Sequence, residues 1–256
     1  MNDNYYEKLK DALKKKLRGT MSPTENVLYF DNNLDVRICP KNGMSTLKWA
    51  MIYLSGQKPS QDNQFTLEVG TKGWRIKQIR EFGYKDEMPY RKGSTRVTVV
   101  RDPVKRFLSA CEYMKTEYMS QVATFGEDFS KDSSDHNLMR IGSLSDVDPI
   151  PDNLDDVIAM VKNGEINNSH FYTQAYYLGN RGQYDKIFDM KDFKEYLHYI
   201  RVTAGSTRQI DRIHSNSTSG LYYGPVENLT EKQKKDIMDI YIEDYDYGWV
   251  ESGKSL

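Results

Sequence analysis

Lys41, Gly43, Ser45 and Thr46 stand together in the run Arg37-Ile38-Cys39-Pro40-Lys41-Asn42-Gly43-Met44-Ser45-Thr46-Leu47-Lys48. These residue types at this spacing suit the holding of a phosphate-like anion. A tight turn points backbone N–H groups inward, a helix N-terminus adds partial positive charge, and lysine adds a full one. Gly43 permits close backbone approach. Ser45 and Thr46 bring hydroxyls to the start of the helix. The cradle thus runs from Lys41 through Asn42, Gly43, Met44 and Ser45 to Thr46. A second run, Val97-Thr98-Val99-Val100-Arg101-Asp102-Pro103, repeats the strand-to-helix pattern and carries Arg101. Two such turns predict a nucleotide with phosphates at two places.

The elements that position these residues are legible in outline. Leu34 to Cys39 alternates apolar and polar residues before Pro40, as a strand does. Thr46 to Leu54 has helical spacing, with Leu47, Ala50, Met51 and Leu54 on one face. Thr95 to Val100 is β-branched and unbroken, which suits a buried central strand. Asp102 is a good N-cap and Pro103 a good first helical residue. The helix that follows carries Val104, Phe107, Leu108, Cys111 and Met114 on its apolar side. Trp74 to Phe82 reads as a short helix, Leu154 to Val161 as another, and Lys186 to Asp189 as a short strand before a helix from Lys191 to about Val202. Thr230 and Gln233 have capping-box spacing and open a final helix through Tyr245. The alternation of strands and helices predicts an α/β fold, a parallel sheet with helices on both faces. Residues 1–29 are expected as an N-terminal helical extension, with Tyr6, Leu9, Leu13 and Leu17 in register. Residues 30–250 are expected as a single α/β domain with a polar insertion near 126–153.

Composition narrows the possibilities. The chain has 256 residues and a net charge of −1, so no global field favours nucleic acid or a membrane surface. Any anion site must be local. Cys39 and Cys111 do not make a disulfide scaffold and read as buried thiols in a reducing compartment. No apolar run approaches the roughly 20 residues needed to span a bilayer. The first residues lack the basic-then-apolar pattern of a secretory signal. A cytoplasmic location is expected.

The first loop is not a Walker A motif, in which Gly-Lys-Ser/Thr follows an earlier glycine. Here lysine precedes glycine and the loop is shorter. It resembles the 5′-phosphosulfate loop of sulfotransferases, Pro-Lys-x-Gly-x-(Ser/Thr)-(Thr/Asn). Arg101-Asp102-Pro103-Val104-Lys105-Arg106-Phe107-Leu108-Ser109-Ala110 is similar to the same family's 3′-phosphate motif. The resemblance implies that Arg101 and Ser109 contact a 3′-phosphate. It also implies the donor, 3′-phosphoadenosine 5′-phosphosulfate (PAPS), and a P-loop-kinase-like three-layer fold with a central parallel sheet flanked by helices.

Later segments resemble Golgi carbohydrate sulfotransferases of the chondroitin/dermatan type. Asn168-Ser169-His170-Phe171-Tyr172-Thr173-Gln174 is similar to their His-(Trp/Phe)-x-x-Gln segment, and Tyr184-Asp185-Lys186-Ile187-Phe188 to the strand that follows it. Ile213-His214-Ser215-Asn216-Ser217-Thr218 resembles their late His-x-Asn-x-(Ser/Thr) element. Tyr241, Asp244 and Tyr245 resemble the closing helix. Those enzymes carry a membrane anchor and several cysteines after the His-Trp segment; neither is expected in this chain, so a luminal glycosaminoglycan substrate is not carried over.

The implied activity is transfer of a sulfuryl group to a hydroxyl or amine of a saccharide or other small acceptor. Lys41 would stabilise the leaving oxygen, with Lys48 one turn into the helix as a second candidate cation. A general base would take the acceptor proton. Histidine suits that task because its ordinary pKa is near neutrality. His170 and His214 lie in the family-like segments, whereas His136 falls in the polar insertion and His198 inside a helix. Glu68, Glu81, Asp86 and Glu87 offer carboxylate alternatives between the two phosphate motifs. No metal is expected. Acceptor choice falls to residues 65–93 and 126–153. An ATP-dependent phosphotransferase of the related kinase fold and a non-catalytic nucleotide-binding module are the competing readings.

Overall fold

Two strands, β1 (Asn26–Phe30) and β2 (Leu34–Ile38), form an antiparallel hairpin in which Phe30 faces Leu34 and Asn26 faces Ile38. Asn33, at φ 59°, turns the chain between them; asparagine tolerates that left-handed conformation better than most residues. β1 begins at Asn26, inside the segment expected to end a helical extension. The structure, a computed structural model, describes residues 26–30, 33–54, 68–71, 74–79, 93–125, 150–166, 168–208 and 221–250. The helix expected near the N-terminus lies outside these residues, and so does all but the last few residues of the polar insertion.

The chain divides into two compact units. One comprises Ser22–Asp102, Thr173–Ser217 and Glu243–Leu256; the other comprises Met1–Met21, Pro103–Tyr172 and Thr218–Ile242. The first holds a six-stranded sheet in the order β3-β4-β1-β2-β5-β6, with β3 at Glu68–Thr71, β4 at Trp74–Ile79, β5 at Thr95–Val100 and β6 at Lys186–Asp189. β2, β5 and β6 run parallel, with Val36 beside Val97 and Val99 beside Phe188. The expected parallel sheet is therefore present as three strands. An antiparallel wing of β1, β3 and β4 extends it.

β4 corrects the helix expected over Trp74 to Phe82. In sequence, Trp74-Arg75-Ile76-Lys77 alternates apolar and basic residues, the period of a strand. β1 and β3 lie on either side and take up its backbone hydrogen bonds, which a lone segment would have satisfied only by coiling.

β2 is buried at all five positions, so both sheet faces are covered. Successive side chains point to opposite faces. On one face, Leu34, Val36, Ile38, Val97, Val99 and Phe188 pack against two helices, α1 (Met44–Leu54) and a C-terminal one at Phe193–Thr203. Leu47 and Met51 of α1 are fully buried there, each contributing about 1.5–3 kcal/mol. On the other face, Arg37 is buried and its Nε donates to the Tyr177 carbonyl at 2.9 Å. Tyr177 belongs to a short helix, Gln174–Leu178. The unit is thus three-layered, a sheet flanked by helices.

The second unit is helical. α2 (Pro103–Phe125) starts at the expected proline and buries Val104, Phe107, Leu108, Cys111 and Met114. They pack with α3 (Leu154–Asn163) and with a helix at Glu231–Ile240. In chain order the helices at Gln174–Leu178, Phe193–Thr203 and Glu231–Ile240 are α4, α5 and α6. Asn153 caps α3 by accepting from the Asp155 N–H at 2.9 Å, and Thr230 and Gln233 form the expected capping box on α6. The expected final helix does not continue unbroken to Tyr245. It stops at Tyr241 and resumes as α7, Ile242–Asp246. Tyr241 is fully buried with a non-helical φ of −104°. Its N–H is shared between the Ile237 and Met238 carbonyls, the tightened ending of a last turn. Lys115, nearly buried on α2, is held by the Ile150 carbonyl at 2.9 Å and Asp152 at 2.7 Å. Among the described residues, no helix is long and apolar enough to cross a membrane.

Candidate functional site

The loop between β2 and α1 is built from an alternation of backbone handedness. Lys41 sits at φ 68° and Gly43 at φ 74°, while Asn42 between them is not in the left-handed region. Such alternation turns successive N–H groups toward one side and forms an anion-binding concavity. The Asn42 N–H closes a turn onto the Cys39 carbonyl at 3.2 Å, and the Leu47 N–H bonds the Gly43 carbonyl at 2.8 Å to begin α1. By helix geometry, first-turn N–H groups have no intrahelical acceptor and face whatever lies ahead of the helix. Ser45 is exposed and Thr46 half-buried at that turn.

Two features of this loop carry a cost. A left-handed conformation costs a non-glycine residue roughly 1–2 kcal/mol, and Lys41 adopts it. Asn42 is fully buried with its Oδ1 lacking a hydrogen-bond partner, which costs about 1–3 kcal/mol. Gly43 meets a different constraint. A Cβ there would lie 2.7 Å from Phe193 Cε2 and 2.9 Å from Met190 Cε, so the loop rests directly on the α5 end of the core.

Arg101, one residue past β5, reaches the loop. Its Nη1 donates to the Lys41 carbonyl at 2.9 Å. Asn42 Nδ2 donates to the Val99 carbonyl at 2.9 Å and to Gln174 Oε1 at 2.7 Å. Gln174 Oε1 also accepts the Arg101 N–H at 2.8 Å. Gln174 Nε2 donates to the Arg101 carbonyl at 2.9 Å and to Asp244 Oδ2 at 3.2 Å. The other Asp244 oxygen accepts the Ala175 N–H at 2.8 Å. Gln174 is fully buried, as is Asp244. The first loop, the end of β5, the start of α4 and α7 therefore meet at one carboxamide. Tyr245, beside them, remains a neutral phenol: burial raises it to about 12, and the charges of Asp102 and Asp244 push the same way.

Of the residues singled out from sequence, this unit brings together Lys41, Asn42, Gly43, Met44 and Arg101. Gln174 was visible as part of a family-like segment, but its role as the junction was not. A glutamine set in the aromatic stretch from Phe171 to Tyr177 is the signal that points to it, since a buried amide must find partners. Asn42 acts through its side chain as well as its backbone.

Ser109 and His170 lie in the helical unit, Ser109 half-buried on α2 and His170 on the one-turn segment Ser169–Phe171. Asn168 Oδ1 accepts the His170 backbone N–H at 3.0 Å and contacts His170 Nδ1 at 2.7 Å. The backbone N–H can only donate, so the atom facing it is the oxygen. That oxygen can only accept, so Nδ1 carries the hydrogen and Nε2 carries the lone pair in the neutral ring. The Tyr113 ring packs against the imidazole, centroids 4.7 Å apart. His198 is exposed on α5 beside Arg201, 3.3 Å from its Nη2. His136, His214, Glu81, Asp86 and Glu87 lie outside the described residues. For Glu68 and Lys48 only the backbone is described.

A family model described as the sulfotransferase family matches residues 30–247. No curated protein and no solved structure matches the chain. The matched span takes in the Lys41 loop, the Arg101 turn, the Gln174 junction and Asp244, and on that match the chain belongs to the sulfotransferase family.

Proposed function

We propose that this sulfotransferase uses PAPS as donor and a hydroxyl or amine of a saccharide or other small molecule as acceptor. The observation that carries the reading is the bond from Arg101 Nη1 to the Lys41 carbonyl. It holds a guanidinium beside an N–H-lined loop, so two anion-binding devices share one short stretch of structure. A nucleotide with a phosphate at each end of its ribose suits that pairing.

PAPS supplies the sulfuryl group, and its 5′-phosphate is the leaving group. The loop N–H groups and the Lys41 ammonium stabilise negative charge at that 5′ end, and they do so from a preorganised frame. The strain retained at Lys41 supports a role for its side chain, because glycine would fit the φ without strain and would bring no charge. Arg101 presents a planar fork of donors beside the loop, and such a fork suits a phosphate dianion. The resemblance assigns Ser109 to the same phosphate. His170, with Nδ1–H committed to Asn168, offers Nε2 as the atom that takes the acceptor proton. His214 stands as the second candidate through the resemblance alone.

The test is ligand-dependent stability. At 100 times its dissociation constant, a ligand stabilises by about 2.7 kcal/mol. 3′-Phosphoadenosine 5′-phosphate (PAP) is expected to raise the thermal midpoint without Mg²⁺. A response to ATP with Mg²⁺ and none to PAP would overturn the donor assignment. Arg101→Ala is expected to weaken PAP more than adenosine 5′-phosphosulfate, which lacks the 3′-phosphate.

A further inference from the structure

We propose that Gln174 is a positioning residue that holds Arg101 at its distance from the Lys41 loop and so sets the preference for a 3′-phosphorylated nucleotide. The inference rests on the donor assignment above and adds to it the residue that enforces it.

The geometry around Gln174 uses all of its hydrogen-bonding capacity. Oε1 accepts from Asn42 Nδ2 and from the Arg101 N–H, and Nε2 donates to the Arg101 carbonyl and to Asp244. The Arg101 N–H can only donate and its carbonyl can only accept, so the two ends of the amide are assigned without ambiguity. Register pairs β5 with β6 up to Val100. Arg101 is the first residue beyond that ladder, and the side-chain amide of Gln174 bonds both its N–H and its C=O, as a neighbouring strand would. Asn42 does the same for the Val99 carbonyl. The stretch from Val99 to Arg101 is thereby tied to the loop on both sides, through residues that are fully buried.

Gln174 touches the loop at the Asn42 side chain, which keeps its second bond to the Val99 carbonyl, and the turn itself is closed by backbone bonds. The Asn42-to-Cys39 and Leu47-to-Gly43 bonds are local. Loss of the carboxamide therefore loosens the peptide that carries the guanidinium, whose bond to the Lys41 carbonyl is kept, while the backbone bonds of the 5′ cradle are untouched. The selectivity consequence follows from that separation: binding of the 3′-phosphate weakens and binding of the 5′-phosphate does not.

The experiment compares dissociation constants for PAP and for adenosine 5′-monophosphate (AMP) in the wild type and in Gln174→Met, which keeps the length and loses every hydrogen bond. The variant is expected to lose about tenfold or more of its PAP affinity, the equivalent of one charge-assisted hydrogen bond, with AMP affinity nearly unchanged. A merely structural role would weaken both ligands alike, and that result, or an unchanged PAP preference, overturns the inference. A wild type that does not prefer PAP over AMP overturns the donor assignment instead. Should Gln174→Met not fold, Asp244→Asn carries the same comparison. Its carboxamide can still accept from Ala175 but sets an NH₂ against Gln174 Nε2, and the PAP-to-AMP preference is expected to fall in the same direction.

Discussion

Arg101 donates from Nη1 to the carbonyl oxygen of Lys41 at 2.9 Å, across 60 positions of sequence. The bond joins a residue just past a buried parallel strand to a residue in the left-handed region of the neighbouring strand's loop. It offsets the negative partial charge of that carbonyl and orients the guanidinium against the loop.

Lys41 separates chemistry from conformation. Lys41→Ala and Lys41→Gly both remove the ammonium, and each is expected to lower kcat by about 10²–10³-fold, the range for losing one transition-state charge stabiliser. Their stabilities should differ. Glycine fits φ 68° and alanine does not, so Lys41→Gly is expected to be about 1 kcal/mol more stable than Lys41→Ala. Chemical denaturation of the two variants checks this, and equal midpoints would contradict the left-handed assignment.

Gly43→Ala meets two penalties, a φ of 74° and a Cβ 2.7 Å from the Phe193 ring. Overpacking of this kind costs about 1–3 kcal/mol. Adding Phe193→Leu should return the part due to the ring, but not the contact with Met190 Cε or the part due to φ. A double-mutant cycle on unfolding free energy therefore gives a favourable coupling between the two substitutions; additive losses would show that the ring is not the neighbour of Gly43.

His170 and Asn168 make a pair whose parts can be tested apart. His170→Ala is expected to lower kcat by about 10²–10⁴-fold, the usual contribution of a general base. Asn168→Leu leaves the ring in place and removes the oxygen that orders its tautomer, so a smaller but clear loss in kcat is expected. Asn168→Asp restores an acceptor at the same position and should recover most of it. Steady-state kinetics with a working acceptor reads all three; full activity in His170→Ala would move the base elsewhere, to His214 first.

What the sequence determined by itself is everything decided over a few residues of chain. The Pro40–Gly43 turn, the start of α2 at Pro103 and the Thr230–Gln233 capping box were all legible, because each is closed by bonds within about four residues of itself. The apolar faces of α1 and α2 were legible for the same reason, since helical period is a local property. The family match over residues 30–247 spans all of these segments. Only tertiary structure decided the rest. β4 became a strand because β1 and β3 bond it from both sides, and strand pairing is non-local. Gln174 became the junction because the sheet brings Asn42, Arg101 and Asp244 to it from 132, 73 and 70 positions away. A carboxamide carries no periodicity that announces its partners. Its four bonds exist only once burial has removed water as the alternative.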